Sequence, residues 1–355
     1  MKKANNSTKP KTKQKPTVKK RFLSVLTYLI PLLLMYWFFF ILLPSKIDVA
    51  ELKSTLQSLS LSDHIALLIA GILSILAVGW TAATVLPGLK VLKATQASVV
   101  SQLTAVILPP PADMAIRFGM YKSYDFPVDK SAVAVVLSGI ARYFTVVAIA
   151  LMGLMALLIT GQGGKPAIFW LVIGLAVFMG ALWIMKQLIV SPKTAHKTGK
   201  IIQNSVNWVR KIFHKKPVTD IEAGAVDFGK NSKAVAIGNF WPIAVSNIVW
   251  GLSCYLVLLL ATRFCGIDSS IMSSAYLLFI TGVMLMLNSL PIPGSGAGVT
   301  ETILLTTINF PNTQVQSAFT AALLLYRIYT FLLPFPIGSV AYFTWRYQIR
   351  KRYSS

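Results

Sequence analysis

The chain has 355 residues, 55% of them apolar and only 13% charged, with a mean hydropathy of +0.66. Soluble proteins are about 25% charged, so composition excludes the pair of soluble domains that length alone would allow. The formal charge of +23 comes from 34 Lys and Arg against 11 Asp and Glu. Such an excess suits either a nucleic-acid binder or a polytopic membrane protein with Lys and Arg at its cytoplasmic ends.

The positions of the charges decide between these. Residues 1–21 hold nine Lys or Arg and no acid, residues 191–233 hold nine with three acids, and residues 346–352 hold four. Long runs nearly free of charge lie between. The longest polar stretch, 191–233, is too short and too poor in apolar residues to be a domain. A nucleic-acid-binding module therefore has nowhere to sit, and the chain reads as an all-α, polytopic integral membrane helical bundle.

In chain order, residues 1–21 are rich in Lys, Pro, Thr, Asn and Ser and read as a disordered basic cytoplasmic tail. Residues 22–43 carry no charge over 22 positions, enough to span a ~30 Å hydrocarbon core. Pro44-Ser45-Lys46 follows instead of a small-residue cleavage site, so an uncleaved first span is expected. Pro31 lies inside it. The loop 45–63 has helical patterning and mixed charge and reads as an interfacial helix. Further spans are expected at 64–86, 131–160, 167–190, 237–262, 271–290 and 316–345. Two apolar pieces are short and interrupted. One is 94–108, which runs into Pro109-Pro110-Pro111; the other is 298–310, which follows Pro291-Ile292-Pro293-Gly294-Ser295-Gly296-Ala297-Gly298.

The positive-inside rule sets the topology. With 1–21 inside, Lys90, Lys93, the 191–233 loop and the basic residues 349–355, read as a C-terminal tail, all fall inside if 94–124 is re-entrant and 298–310 crosses outward. The expectation is about eight crossings plus Pro/Gly-broken re-entrant segments, with both termini cytoplasmic. Within 191–233, Ile202, Val206, Val209 and Phe213 recur at helical spacing, with Lys200, Arg210 and Lys211 off the stripe. Two readings stay open: a basic amphipathic helix on the inner leaflet, or a solvated loop whose charges only set orientation.

Catalytic motifs are missing from the sequence. The three histidines (His64, His196, His214) make no i, i+4 pair, and no H-E-x-x-H, CxxC or P-loop occurs. The Gly294–Gly298 run does not follow a βαβ pattern. Cys254 and Cys265 read as free thiols. Asp125 and Asp129 are the only acidic pair suited to transferase chemistry, and they read as solvated loop residues. No cofactor and no metal are expected.

Charge placed where it is costly is the positive signal. Arg142 and Arg327 lie near the middle of expected spans. Asp113 and Arg117 follow the proline triplet, and Glu301 follows the glycine-rich break. A charge at the bilayer centre costs ~2.5–3.5 kcal/mol on insertion scales. One reading is that these are buried pairs, such as Glu301 with an arginine, that only lock helices. The other is that three arginines against two acids bind an anionic group, onto which Arg forks readily. Unwound segments at membrane depth line cavities or lie buried in protein, and a pair of Pro/Gly-interrupted segments in the two halves points to a midplane site. Pro109, Pro110, Pro111, Pro291, Pro293, Gly294, Ser295, Gly296 and Gly298 are accordingly read as the gates. The glycines also allow the alternative of close helix packing. The start of 298–310 offers free N–H groups to an anion, and Glu301 in its first turn suits the helix dipole or serves as a protonatable group.

At these residues the chain resembles the flippase-like family of the lysylphosphatidylglycerol synthase transmembrane domain, over most of 22–348. The family hallmark has the form P-x-P-G-G-x-G-x-x-E. Here Pro291 to Glu301 matches it, except for Ser295 and one additional residue before the glutamate. Leu108 to Pro111 with Arg117 and Tyr121, Arg142 on the next helix, and Arg327 to Pro334 resemble three further family features. The resemblance implies an integral plasma-membrane protein that binds or translocates an anionic phospholipid or a polyprenyl-phosphate lipid. The best-known relatives are fused to a soluble synthase, for which no stretch here is long enough, so lysyl-lipid synthesis by this chain alone is not expected. In the leading reading Arg117, Arg142 and Arg327 hold the headgroup, while Asp113 and Glu301 orient them or carry a coupling proton. The alternatives are a membrane-embedded transferase of lipid biosynthesis, or an accessory subunit that recruits a separate synthase through its basic face.

Overall fold

A computed structural model describes residues 53–54, 56–107, 112–212, 217–289 and 298–354. The expected first span, the basic N-terminal tail and most of the 45–63 segment lie outside the described residues. So do Pro109, Pro110, Pro111, Pro291, Pro293, Gly294, Ser295 and Gly296.

Among the described residues the fold is all-helical. The first four helices are α1 (Leu61–Val85), α2 (Val91–Ile107), α3 (Ala112–Ser123) and α4 (Val128–Ile159). Then come α5 (Lys165–Val190), α6 (Pro192–Ile212), α7 (Ile221–Gly238) and α8 (Phe240–Phe264). The last are α9 (Ser274–Asn288), α10 (Val299–Thr307), α11 (Thr313–Arg327) and α12 (Pro334–Ser354), with a π-helical turn, Ile328–Leu332, between α11 and α12. Local chemistry sets several starts. Ser60 and Asp63 form a reciprocal capping box at α1. The side chains of Ser273 and Asn312 accept the backbone N–H three residues on, at the starts of α9 and α11.

Among the described residues, five helices are long and apolar enough to cross a membrane: α1, α4, α5, α8 and the continuous rod from Thr313 to Arg352. The chain is a multi-pass membrane protein built as a helical bundle. At 1.5 Å per residue, the 25 residues of α1 reach about 37 Å, whereas the 15 of α9 reach about 22 Å and the nine of α10 about 13 Å. α9 and α10 are each too short to cross a ~30 Å core. They double back, where hydropathy predicted a crossing at 271–290 and the positive-inside parity one at 298–310.

Contacts fix which end each hairpin enters from. Trp345 Nε1 donates to Ser123 Oγ at 2.8 Å, and Arg352 pairs with Asp125. The ends of α3 and α12 therefore meet at one end of the bundle, the basic end, where α2 also begins. Ser273 bonds Gln162 at the opposite, far end, and Phe310 packs on Phe319 in the same apolar cluster as Ile267 and Met272. So α2–α3 dips in from the basic end and α9–α10 from the far end. Each hairpin has its own apolar core: Leu86, Ala97, Met120 and Tyr121 around α2–α3, and Leu258, Leu277, Met284 and Phe319 around α9–α10.

Close backbone approach holds α9 to α4. A Cβ on Gly282 would lie 2.3 Å from Ala150 Cα, and one on Gly153 would lie 2.4 Å from Phe279 Cα. Small residues let membrane helices approach this closely. α5 is peripheral: none of its apolar window is buried by the described residues.

The 191–233 segment forms the helical hairpin α6–α7 rather than a loop. α6 packs on α7 through Gly199, whose Cβ position lies 2.9 Å from Glu222 Cα, and through a contact between His196 Nε2 and Glu222 Oε1. Ile201, Ile202 and Trp208 stay exposed, as do Lys197 and Lys200. The helix is amphipathic, and of the predicted stripe Ile202 is exposed. Val206 is half-buried, the Val209 side chain is not among those described, and Phe213 lies outside the described residues. At the C-terminus, α12 runs on to Ser354, so the expected basic tail continues the helix.

Candidate functional site

A cavity of about 400 Å³ lies where the two hairpins approach each other inside the bundle. Its walls come from α1, α2, α3, α4, α8, α9, α11, the π turn and α12. Arg142 in mid-α4 and Trp250 in mid-α8 both face it, which places it at mid-depth of the crossing helices. Asp113, Arg117, Arg142 and Arg327, four of the five charged residues singled out in the sequence, line it. The fifth, Glu301, sits behind Arg327 and is 3% exposed.

Arg327 ends α11 and is held by two side chains. Its Nε donates to Glu301 Oε1 at 2.5 Å and its NH2 group donates to Asn288 Oδ1 at 3.0 Å. Glu301 Oε2 accepts the backbone N–H of Gly298 at 2.8 Å, which caps α10. Gly298 has φ +86°, a left-handed conformation that favours glycine. Thr300 Oγ1 donates to Asn288 Oδ1 at 2.9 Å. The end of α9, the start of α10 and the end of α11 are thus tied through one buried ion pair. Of the predicted gate residues, Gly298 alone is described, and its role here is to let Glu301 fold back on the helix start.

The other two arginines are held without neutralisation. Arg142 rests its guanidinium 4.1 Å from the Trp250 ring centroid. Among the described residues no carboxylate lies within 4 Å of it. A cation over an indole face is attracted but keeps its full charge. Arg117 reaches only Ser138 Oγ at 3.4 Å and Ser101 Oγ at 3.3 Å, and its buried Nε has no hydrogen-bond partner. Asp113, in the first turn of α3, likewise has no cation within 4 Å among the described residues. Ser101 Oγ donates to the Asp113 carbonyl at 2.9 Å and ties α2 to α3. A buried N–H left without an acceptor is uncommon and costly. The cavity is lined by guanidinium groups from α3, α4 and α11 and by the rings of Trp250, Phe331 and Phe335. That is the chemistry of an oxyanion receptor.

Sequence reasoning did not find Trp250, Asn288, Ser101 and Ser138. Asn288 is the one with a usable signal: an amide at the end of an apolar run, just before a Pro/Gly break. The serines read as ordinary small residues of membrane helices. Asp125 is not in the cavity; it takes both NH1 and NH2 of Arg352 at the basic end. Cys254 and Cys265 are free and buried.

A comparison with curated proteins gives no match. Among protein families, the lysylphosphatidylglycerol synthase TM region matches residues 22–338, which cover both hairpins and every residue of the cavity. The chain belongs to the lysylphosphatidylglycerol synthase TM-region family.

Proposed function

We propose that this protein binds the anionic headgroup of a phospholipid or a polyprenyl-phosphate lipid in the cavity and carries it across the plasma membrane, with both termini in the cytoplasm. The observation that carries the proposal is that Arg117 and Arg142 face the cavity with no carboxylate within 4 Å among the described residues. Helix-locking pairs would bring their own acids, as Arg327 does with Glu301. A mid-membrane guanidinium left unneutralised is costly, and an anionic ligand offsets that cost. Three arginines against Asp113 and Glu301 leave one net positive charge, which a monoanionic phosphodiester balances. The cavity suits a headgroup, while acyl or prenyl chains stay in the bilayer.

The broken hairpins serve as the gates, and the exposed apolar and lysine faces of α6 rest on the anionic inner leaflet. The chain needs no synthase chemistry of its own in this reading; a separate synthase or transferase supplies the lipid. The direct test is reconstitution into liposomes with headgroup-labelled phosphatidylglycerol. Movement across the bilayer faster than in empty liposomes supports the proposal. Movement no faster, under either sign of proton gradient, overturns it. Asp125 and Asp129, the acids that the transferase alternative would use, do not line the cavity, and Asp125 pairs with Arg352 at the basic end.

A further inference from the structure

The helices on either side of the α5–α7 insertion repeat one another in opposite orientation. α1 and α8 have 25 residues each and run antiparallel, with Thr84 near the end of α1 bonded to Ser246 near the start of α8. Each is followed by a re-entrant hairpin and then by a crossing rod. The packing also crosses over. The first hairpin helix of the second set, α9, lies on α4 of the first set through Gly282 and Ala150. The first hairpin helix of the first set, α2, lies on α12 of the second set through Val99 and Gly338. Inverted repeats with broken segments at the midplane are the architecture of alternating access.

The charges fall on equivalent places in the two sets. Arg142 is the fifteenth residue of α4, and Arg327 is the fifteenth of α11. Asp113 and Glu301 both occupy the first turn of the second hairpin helix. The hairpin legs are tied alike, by Ser101 to the Asp113 carbonyl and by Asn288 to Thr300. Yet of these two acid–arginine pairs one is closed and the other open. Glu301 holds Arg327, whereas Asp113 and Arg142 face the same cavity without a counter-ion within 4 Å among the described residues.

We infer that Asp113–Arg142 and Glu301–Arg327 are two equivalent half-sites for a phosphate-type oxyanion, used in turn. The closed pair seals its hairpin, and the arginine of the open pair holds the anion. In the described form Glu301–Arg327 locks α9–α10 at the far end, and Arg142 with Arg117 receives the anion. In the reciprocal form Asp113 swings onto Arg142 and locks α2–α3, while Arg327, released by Glu301, takes the anion over. The aromatic contact to Trp250 suits this exchange, because it positions Arg142 without satisfying its charge. The inference rests on the proposed function for the identity of the cargo, but not for the exchange itself.

The test uses the full chain in liposomes, with Cys254 and Cys265 replaced by Ser and a reporter cysteine at Ser289→Cys on the cavity wall. A membrane-impermeant maleimide is added from one side or the other, and the ratio of the two labelling rates is read. Glu301→Gln is expected to shift the ratio roughly tenfold toward the far end, and Asp113→Asn about as far toward the basic end. The double variant returns toward the parent ratio, because the two shifts oppose each other. Size-exclusion profiles establish that each variant is folded; for a variant that is not, Arg327→Gln or Arg142→Gln replaces it with the same expected sign. Two folded single variants that move the ratio in the same direction, or leave it unchanged, overturn the exchange. Labelled phosphatidylglycerol is followed in the same liposomes. Opposite shifts without lipid movement uphold the half-sites and overturn the lipid cargo. Lipid movement with an unresponsive ratio does the reverse.

Discussion

Arg327 Nε donates to Glu301 Oε1 at 2.5 Å across a 26-residue separation, and that one pair closes the α9–α10 hairpin against α11. Both side chains are largely buried, at 12% and 3% exposure. Removing one member of such a pair strands the other charge. Arg327→Ala is expected to cost about 3–5 kcal/mol and to lower the thermal midpoint of the purified protein well below that of Glu301→Gln, which still accepts a hydrogen bond. Thermal melts followed by size exclusion read the difference; equal midpoints would show that the pair is not structurally important.

Arg142 makes no comparable bond, so its replacement should leave the fold standing. Arg142→Lys keeps the charge but loses the planar fork, and it is expected to slow lipid movement about tenfold with little change in melting. Trp250→Leu, which removes the ring under the guanidinium, is expected to act in the same direction. A rate unchanged in both variants would exclude Arg142 from the transport path.

At Gly282 the limit is steric. A Cβ there would lie 2.3 Å from Ala150 Cα, a backbone atom that cannot step aside. Gly282→Val is expected to destabilise by more than about 3 kcal/mol and to yield little monodisperse protein. Gly180→Ala, with nothing within 4 Å of the added carbon, is the matched control and should be neutral or better. Equal recovery of the two variants would contradict the α4–α9 contact.

The Arg352–Asp125 pair is bidentate but exposed, at 59% and 68%. Exposed pairs contribute about 0–1 kcal/mol. Asp125→Asn should therefore change melting by a degree or so and leave lipid movement within about twofold. Loss of a lipid-modifying activity in this variant would favour the transferase reading instead.

The long crossings were legible in the sequence because hydropathy and length report the same property that inserts a helix. The expected 64–86, 131–160, 167–190 and 237–262 lie within a few residues of α1, α4, α5 and α8. Hydropathy cannot say whether a short apolar run crosses or turns back. The segment 271–290 consequently read as a crossing, and charge parity then required 298–310 to cross as well, although the chain folds them into one hairpin. The five charged residues stood out because charge is scarce in these segments. Their division into one closed pair and three unneutralised groups did not, since it depends on distances between α3, α4, α10 and α11 that no local pattern encodes. The packed side of α6 was not legible for a related reason. Its packed side is set by Gly199 against α7, and a glycine carries no hydropathy signal.

The π turn at Ile328–Leu332 acts as a phase shifter within the longest apolar rod. A helix advances about 100° per residue, so the additional residue in this turn rotates everything after it relative to everything before. It lets the half ending at Arg327 present that side chain to α10, while the half containing Gly338 presents a smooth face to α2. Deleting one residue from the turn would restore a regular helix and rotate Gly338 away from Val99, with no charge altered. The rod is thus two helices of different azimuth sharing one axis, and each half is set to serve a different hairpin.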